Sequence, residues 1–240
     1  YKPSPNNNKK DIIYFLGKCY ENGKYVKKNY SKAKEFYEIS AKYNNAKSLT
    51  QLGDFYLYGY GVEKDFLKAK NLYEKAINQG NAKAYYRMGT LYLHGKGVKQ
   101  DTQEAIRCFE IAANKDYIES FLFLGLIYFN GYYVSRNYMK AKEIYKKLSK
   151  KNNSHAFLML GHLYFNGLGI KKNYLKAKKY FEKSAELNNY EAVNNIGFLY
   201  NYGFGVELNF EKAKEYYEKA ARKDISAAFS NLGYLYENGY

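Results

Sequence analysis

Ala84, Tyr85, Met88, Leu91 and Tyr92 fall at i, i+1, i+4, i+7 and i+8, a single helical stripe, and predict an amphipathic α-helix across residues 82–94. Gly95-Lys96-Gly97 then reads as a helix-ending turn, because glycine takes the left-handed backbone that closes a helix. A second helix starts at Asp101. Aspartate is a strong N-cap, and Glu104 three residues later completes the pattern of a capping box. This helix buries Ala105, Cys108, Phe109 and Ala112, again at helical spacing. A short polar link, such as Asn78-Gln79-Gly80-Asn81, joins one pair to the next.

The pattern repeats. Glycine recurs at Gly17, Gly53, Gly89, Gly125, Gly161, Gly197 and Gly233, every 36 residues. The same interval carries Gly23 to Gly239, Tyr20 to Tyr236, Ala33 to Ala213, and the ring series Tyr37, Tyr73, Phe109, Tyr145, Phe181 and Tyr217. Second-helix caps recur at Asn29, Asp65, Asn137, Asn173 and Asn209. Each pair buries part of its apolar surface alone, and stacked neighbours cover the rest. The fold expected is all-α: a right-handed superhelical α-solenoid of antiparallel helix pairs with 36-residue repeats. Residues 1–10 read as an extended polar tail. Residues 11–240 read as one solenoid, with units at 11–45, 46–81, 82–117, 118–153, 154–189 and 190–225, and the first helix of a seventh at 226–240. The Gly17 series sits in mid-helix, where each glycine costs about 1 kcal/mol relative to alanine. A shared close approach of the two helices is the expected reason.

The set Ala-x3-(Leu/Met)-Gly-x2-Tyr, Gly-x-Gly-Val and Lys-Ala-x3-Tyr resembles the Sel-1-like repeat family, which is related to the tetratricopeptide repeats. The match is clearest in Ala84–Ala112 and Ala192–Ala220. Tyr25 and Tyr133 depart from it by replacing the second glycine of the Gly-x-Gly turn. The resemblance implies a non-catalytic adaptor. Eukaryotic members include a lumenal adaptor of ER-associated degradation, and bacterial members include secreted and periplasmic interaction proteins. An ER-lumenal, periplasmic or secreted location is what the resemblance implies, and nothing else in the chain sets the compartment.

In tetratricopeptide-like stacks the first helix of each pair lines the concave side. Counted from the Gly17 series, positions −3, −2, +1, +4 and +5 should face that groove. They read Thr50, Gln51, Asp54, Leu57 and Tyr58 in the second unit, but Leu122, Phe123, Leu126 and Phe129 in the fourth. The fifth gives Leu158, Met159, His162 and Phe165, and the sixth contributes Phe198. These nine apolar or weakly polar residues form the expected partner-binding face. It suits a protein or peptide with an apolar or amphipathic segment. A tight coil whose inner faces touch, or a dimer seam, fits the same pattern.

The net charge is +16, which raises the alternative of a basic surface for nucleic acid or anionic membrane. The cations are nearly all lysine, with Arg87, Arg107, Arg136 and Arg222 as the guanidinium groups, and they recur with the repeat rather than clustering. A solvated, ion-paired second-helix face is the simpler reading. Cys19 and Cys108 occupy apolar positions and read as buried free thiols. Ser31 to Lys34 fits Ser-x-x-Lys without its companion motifs. His155 and His162 stand about 10 Å apart on one helix and cannot share a zinc. Asn29 and Asn152 open glycosylation sequons, which so asparagine-rich a chain produces by chance. No apolar run is long enough to span a bilayer. No cofactor, metal or small-molecule substrate is expected, and no enzyme. The chain starts without methionine and stops within the pattern, which reads as a segment of something longer.

Overall fold

A computed structural model describes residues 5–240, and among them there are thirteen α-helices and no strand. In chain order they are α1 (Pro5–Asn22), α2 (Tyr30–Lys42), α3 (Ala46–Tyr58), α4 (Phe66–Asn78), α5 (Ala82–His94), α6 (Thr102–Asn114), α7 (Ile118–Asn130), α8 (Tyr138–Ser149), α9 (Ser154–Asn166), α10 (Tyr174–Glu186), α11 (Tyr190–Tyr202), α12 (Phe210–Ala221) and α13 (Ser226–Glu237). Consecutive helices pair as hairpins, α1 with α2, α3 with α4, α5 with α6, α9 with α10 and α11 with α12. Second helices also pack on the first helix of the next hairpin, as α2 does on α3 and α10 on α11. The chain divides into two compact units, the first ending at Ser120 and the second running Phe121–Tyr240.

The evenly spaced glycines are where rings pass between the helices of a pair. A Cβ on Gly17 would stand 2.5 Å from the Tyr37 ring, and one on Gly125 would stand 2.5 Å from Tyr145. Tyr37, Tyr73, Phe109, Tyr145 and Tyr217 are fully buried against this series. The rings anchor small cores shared between hairpins. In the first unit Tyr73 joins Met88 and Leu91, and in the second Phe181 joins Ile196 and Leu199.

The second-helix caps Asn29, Asp65, Asp101, Asn137, Asn173 and Asn209 each accept a backbone N–H from the first turn. Their own N–H groups are taken too. They donate to the carbonyls of Tyr20, Tyr56, Tyr92, Tyr128, Tyr164 and Tyr200, at 2.8–3.0 Å. The return half of a capping box is therefore not available, and Glu104 pairs with Arg107 at 3.1 Å instead. The turns at Tyr25 and Tyr133 keep the geometry of the glycine turns, with φ of 68° and 66° against 68° at Gly97.

The expected extended tail is corrected over residues 5–10, which are helical in α1, while residues 1–4 lie outside the described residues. Proline suits the first turn of a helix, where its missing N–H has no partner to lose. The far end of this segment is held from α2 and its link. Ser40 Oγ donates to the Lys10 carbonyl at 2.7 Å, and Asn45 Nδ2 to Asp11 at 3.1 Å.

Much of the lysine charge is spent on the repeat itself. Lys32, Lys68, Lys140, Lys176 and Lys212 sit over the rings of Tyr20, Tyr56, Tyr128, Tyr164 and Tyr200, with Nζ 4.9–5.5 Å from the centroids. Lys34, Lys70 and Lys178 pair with Glu38, Glu74 and Glu182 one turn on.

Candidate partner-binding face

In the first unit the first-helix face is a closed polar seam. Asp54 on α3 accepts from the Tyr73 hydroxyl at 2.8 Å, from Lys83 Nζ at 2.7 Å and from Arg87 Nε at 2.7 Å. Gln51 carries the network on, donating to Glu21 at 3.2 Å and accepting from Lys83, and Tyr37 donates to the same Glu21. Helices α1, α3 and α5 are thus stitched side by side. Burial first, then the Asp54 charge, pushes the Tyr73 hydroxyl far above its ordinary value. Thr50, Gln51, Asp54 and Leu57 are buried rather than facing an open groove.

In the second unit the same register is mostly apolar on α7 and α9. Leu126 is 39% exposed at the position of Asp54. Leu122, Phe123 and Phe129 are half-buried beside it on α7, with Phe129 edge-on to Tyr138 at 5.5 Å. On α9, Met159, His162 and Phe165 are half-buried. Phe165 contacts Tyr174 at 5.3 Å, Phe204 at 5.6 Å and Phe198 of α11 at 6.0 Å.

Leu158 is a correction to the expected face. It is 2% exposed and packs in the core with Phe181 and Ile196. The physical reason recurs along the chain. Position −3 turns toward the next hairpin, as Asn194 does in accepting from Asn231 of α13 at 2.9 Å. Position +4 turns the same way where Leu57 packs with Met88 and Leu91. The rows left open are mainly −2, +1 and +5.

His162, Phe165, Asn166, Phe181, Asn195 and Phe198 line a cleft of about 170 Å³. His162 is edge-on to Phe181 at 5.4 Å, and its Nε2 is 3.4 Å from Asn195 Nδ2. Burial lowers the His162 pKa, with the Glu191 carboxylate opposing it in part, so the ring is neutral at neutral pH. A second cleft of about 430 Å³ shares His162 and Asn195 and adds Glu191, Asn194, Asp224, Ile225, Ser226 and Ala227. Sequence reasoning missed this second cleft. One signal for it exists, because Ile225 stands where Asn45, Asn81, Asn153 and Asn189 cap α3, α5, α9 and α11.

The arrangement suits holding side chains. His162 makes its closest described contacts with the Phe181 ring and the Asn195 amide. Among the described residues no three His, Cys, Asp or Glu side chains converge as metal ligands, and no helix is long and apolar enough to cross a membrane. Cys19 and Cys108 are buried free thiols, and burial pushes Cys108 up to about 11.

The Sel1 repeat model matches residues 13–44, 46–81, 82–117, 122–153, 154–189, 191–225 and 227–240. The chain belongs to the Sel1 repeat family. Sel1 repeats are in general protein-interaction scaffolds. This Sel1 repeat chain is similar to a Sel1 repeat protein of Oxalobacter formigenes, at 30% identity and TM-score 0.76, over 92% of this chain and 91% of that one. It is also similar to c5321 of uropathogenic Escherichia coli, a protective antigen with this fold, at 28% identity and TM-score 0.83. That match covers 98% of this chain but 50% of the E. coli protein, so the chain spans half of that relative's length. No curated protein matches the Sel1 repeat chain.

Proposed function

We propose that this Sel1 repeat chain is a non-catalytic adaptor that captures a partner protein on the first-helix face of its second unit. Leu122, Phe123, Leu126, Phe129, Met159, His162, Phe165 and Phe198 form the contact surface, and Leu158 supports it from beneath. The observation that carries the reading is the change of chemistry at one register. Asp54 in the first unit is fully engaged with neighbouring helices, whereas Leu126 at the same position is 39% exposed. Contiguous exposed apolar side chains mark interaction sites, because covering them removes apolar surface from water. The partner chemistry that fits is an apolar or amphipathic segment laid along α7, α9 and α11.

The test is selection of binding peptides from a random display library on the intact chain, followed by titration against the L126E/F165E variant. The reading expects apolar-rich peptides whose affinity falls at least tenfold in the variant, with its helical circular dichroism and melting temperature retained. Unchanged affinity in a folded variant would overturn it.

A further inference from the structure

We infer that the second unit selects a partner segment in which an apolar side chain is followed closely by lysine or arginine. The inference rests on the proposed face and specifies what sits on it. The apolar cleft of about 170 Å³ is walled by Phe165, Phe181 and Phe198. An apolar cavity of about 150 Å³ is the size that admits a benzene ring, so one aromatic or branched aliphatic side chain fills it. The adjoining cleft of about 430 Å³ is lined by the carboxylates of Glu191 and Asp224, the amides of Asn194 and Asn195, and no lysine or arginine.

Among the described residues neither carboxylate forms an ion pair with a lysine or arginine. The two cations that precede Asp224 in sequence have other contacts. Arg222 pairs with Glu218 at 3.8 Å, and Lys223 sits over the Tyr190 ring at 5.5 Å. A cleft lined by two acidic residues and no lysine or arginine runs against the net charge of +16. It offers an incoming cation two acceptors next to a place for its apolar neighbour. Since the clefts share His162 and Asn195, side chains from adjoining positions of one extended segment reach both. His162 is neutral at neutral pH and so does not repel the cation.

The sign of the preference makes it testable. The field of the whole chain favours acidic peptides, so a preference for basic ones requires a local acidic site. The experiment is fluorescence anisotropy with three labelled peptides that share one phenylalanine and differ in the next two residues: Lys-Lys, Gln-Gln or Glu-Glu. The intact chain is compared with E191Q/D224N and with L126E/F165E. Asparagine is a safe replacement at Asp224, whose φ is 58°, because Asn44, Asn152 and Asn188 hold the same left-handed backbone in other links.

The expected order is Lys-Lys over Gln-Gln over Glu-Glu, with the first about three- to tenfold tighter than the second. That is the range of one or two partly exposed ion pairs. The preference should vanish in E191Q/D224N and shrink as salt is raised. Equal binding of all three peptides, still abolished by L126E/F165E, overturns the basic selectivity and leaves the face standing. A preference that survives E191Q/D224N overturns this cleft as its source. If none of the peptides binds the intact chain, the selectivity and the face both fall.

Discussion

The Tyr73 hydroxyl donates to Asp54 Oδ1 at 2.8 Å, across the gap between α3 and α4 that Gly53 leaves open. The equivalent hydroxyls of Tyr145 and Tyr217 are buried with no hydrogen-bond partner. One ring series thus serves two energetic roles. Tyr73→Phe should destabilise the first unit by about 1.5–3 kcal/mol, the range for a bond to a charged acceptor. Asp54→Ala should cost about 3 kcal/mol or more, because Lys83 and Arg87 lose their buried counter-ion. Tyr145→Phe should be neutral or slightly stabilising, since it removes an unsatisfied buried group. Urea unfolding of the three variants checks the ranking, and a Tyr145→Phe cost as large as that of Tyr73→Phe would contradict it.

A Cβ on Gly125 would meet the buried Tyr145 ring at 2.5 Å, whereas one on Gly233 has nothing within 4 Å. Alanine is favoured over glycine in a helix by about 1 kcal/mol, and overpacking a rigid core costs about 1–3 kcal/mol. At Gly125 the clash dominates, because a fully buried ring has nowhere to move, and Gly125→Ala should lose about 1–2 kcal/mol net. At Gly233 only the propensity gain remains, and Gly233→Ala should stabilise by up to about 1 kcal/mol. Thermal melts of the two variants should move in opposite directions.

Leu126 on α7 and Leu158 on α9 both belong to the binding face expected from sequence, yet Leu126 is exposed and Leu158 lies in the core. Leu158→Ala should cost about 2–5 kcal/mol through the cavity it leaves. Leu126→Ala should change stability by less than about 1 kcal/mol while weakening peptide capture. Denaturant midpoints read beside peptide titration separate the two. A large stability loss at Leu126 would place it in the core instead of on the face.

The hairpins and the second-helix caps were legible in the sequence, because each arises within one repeat and recurs at one interval. The mid-helix glycines were legible as a close approach of two helices, but not the ring that fills the gap. What a single repeat cannot reveal is what the next one covers. Leu158 and Asn194 look available on an isolated helix and are buried by the following hairpin. Residues 5–10 carry no apolar stripe, and their helix is tied down by Ser40 and Asn45 some 30 residues away in sequence. The lysine–tyrosine stacking, such as Lys32 over Tyr20, likewise needs both helices in place before the pairing can be seen. The acidic cleft is assembled from α9, the start of α11 and the link before α13, so no local motif announces it.

His162 gives the second unit a pH dependence whose sign is fixed by its surroundings. Burial lowers its pKa from 6.5, Glu191 opposes the shift, and His155 adds to it. In the unfolded chain the ring takes up a proton as the pH falls through about 6.5. In the folded chain it resists until lower pH, so the unfolded state binds more protons over that interval. Stability is therefore fully present above the unfolded value and is lost as the pH falls toward the folded one. Between pH 7 and pH 5 the urea midpoint should drop in the native chain. The informative quantity is the difference from His162→Leu, which places at this position the residue found at Leu126 in α7. The variant should show the shallower pH slope. An equal slope in both proteins would mean that His162 titrates alike in the folded and unfolded chains.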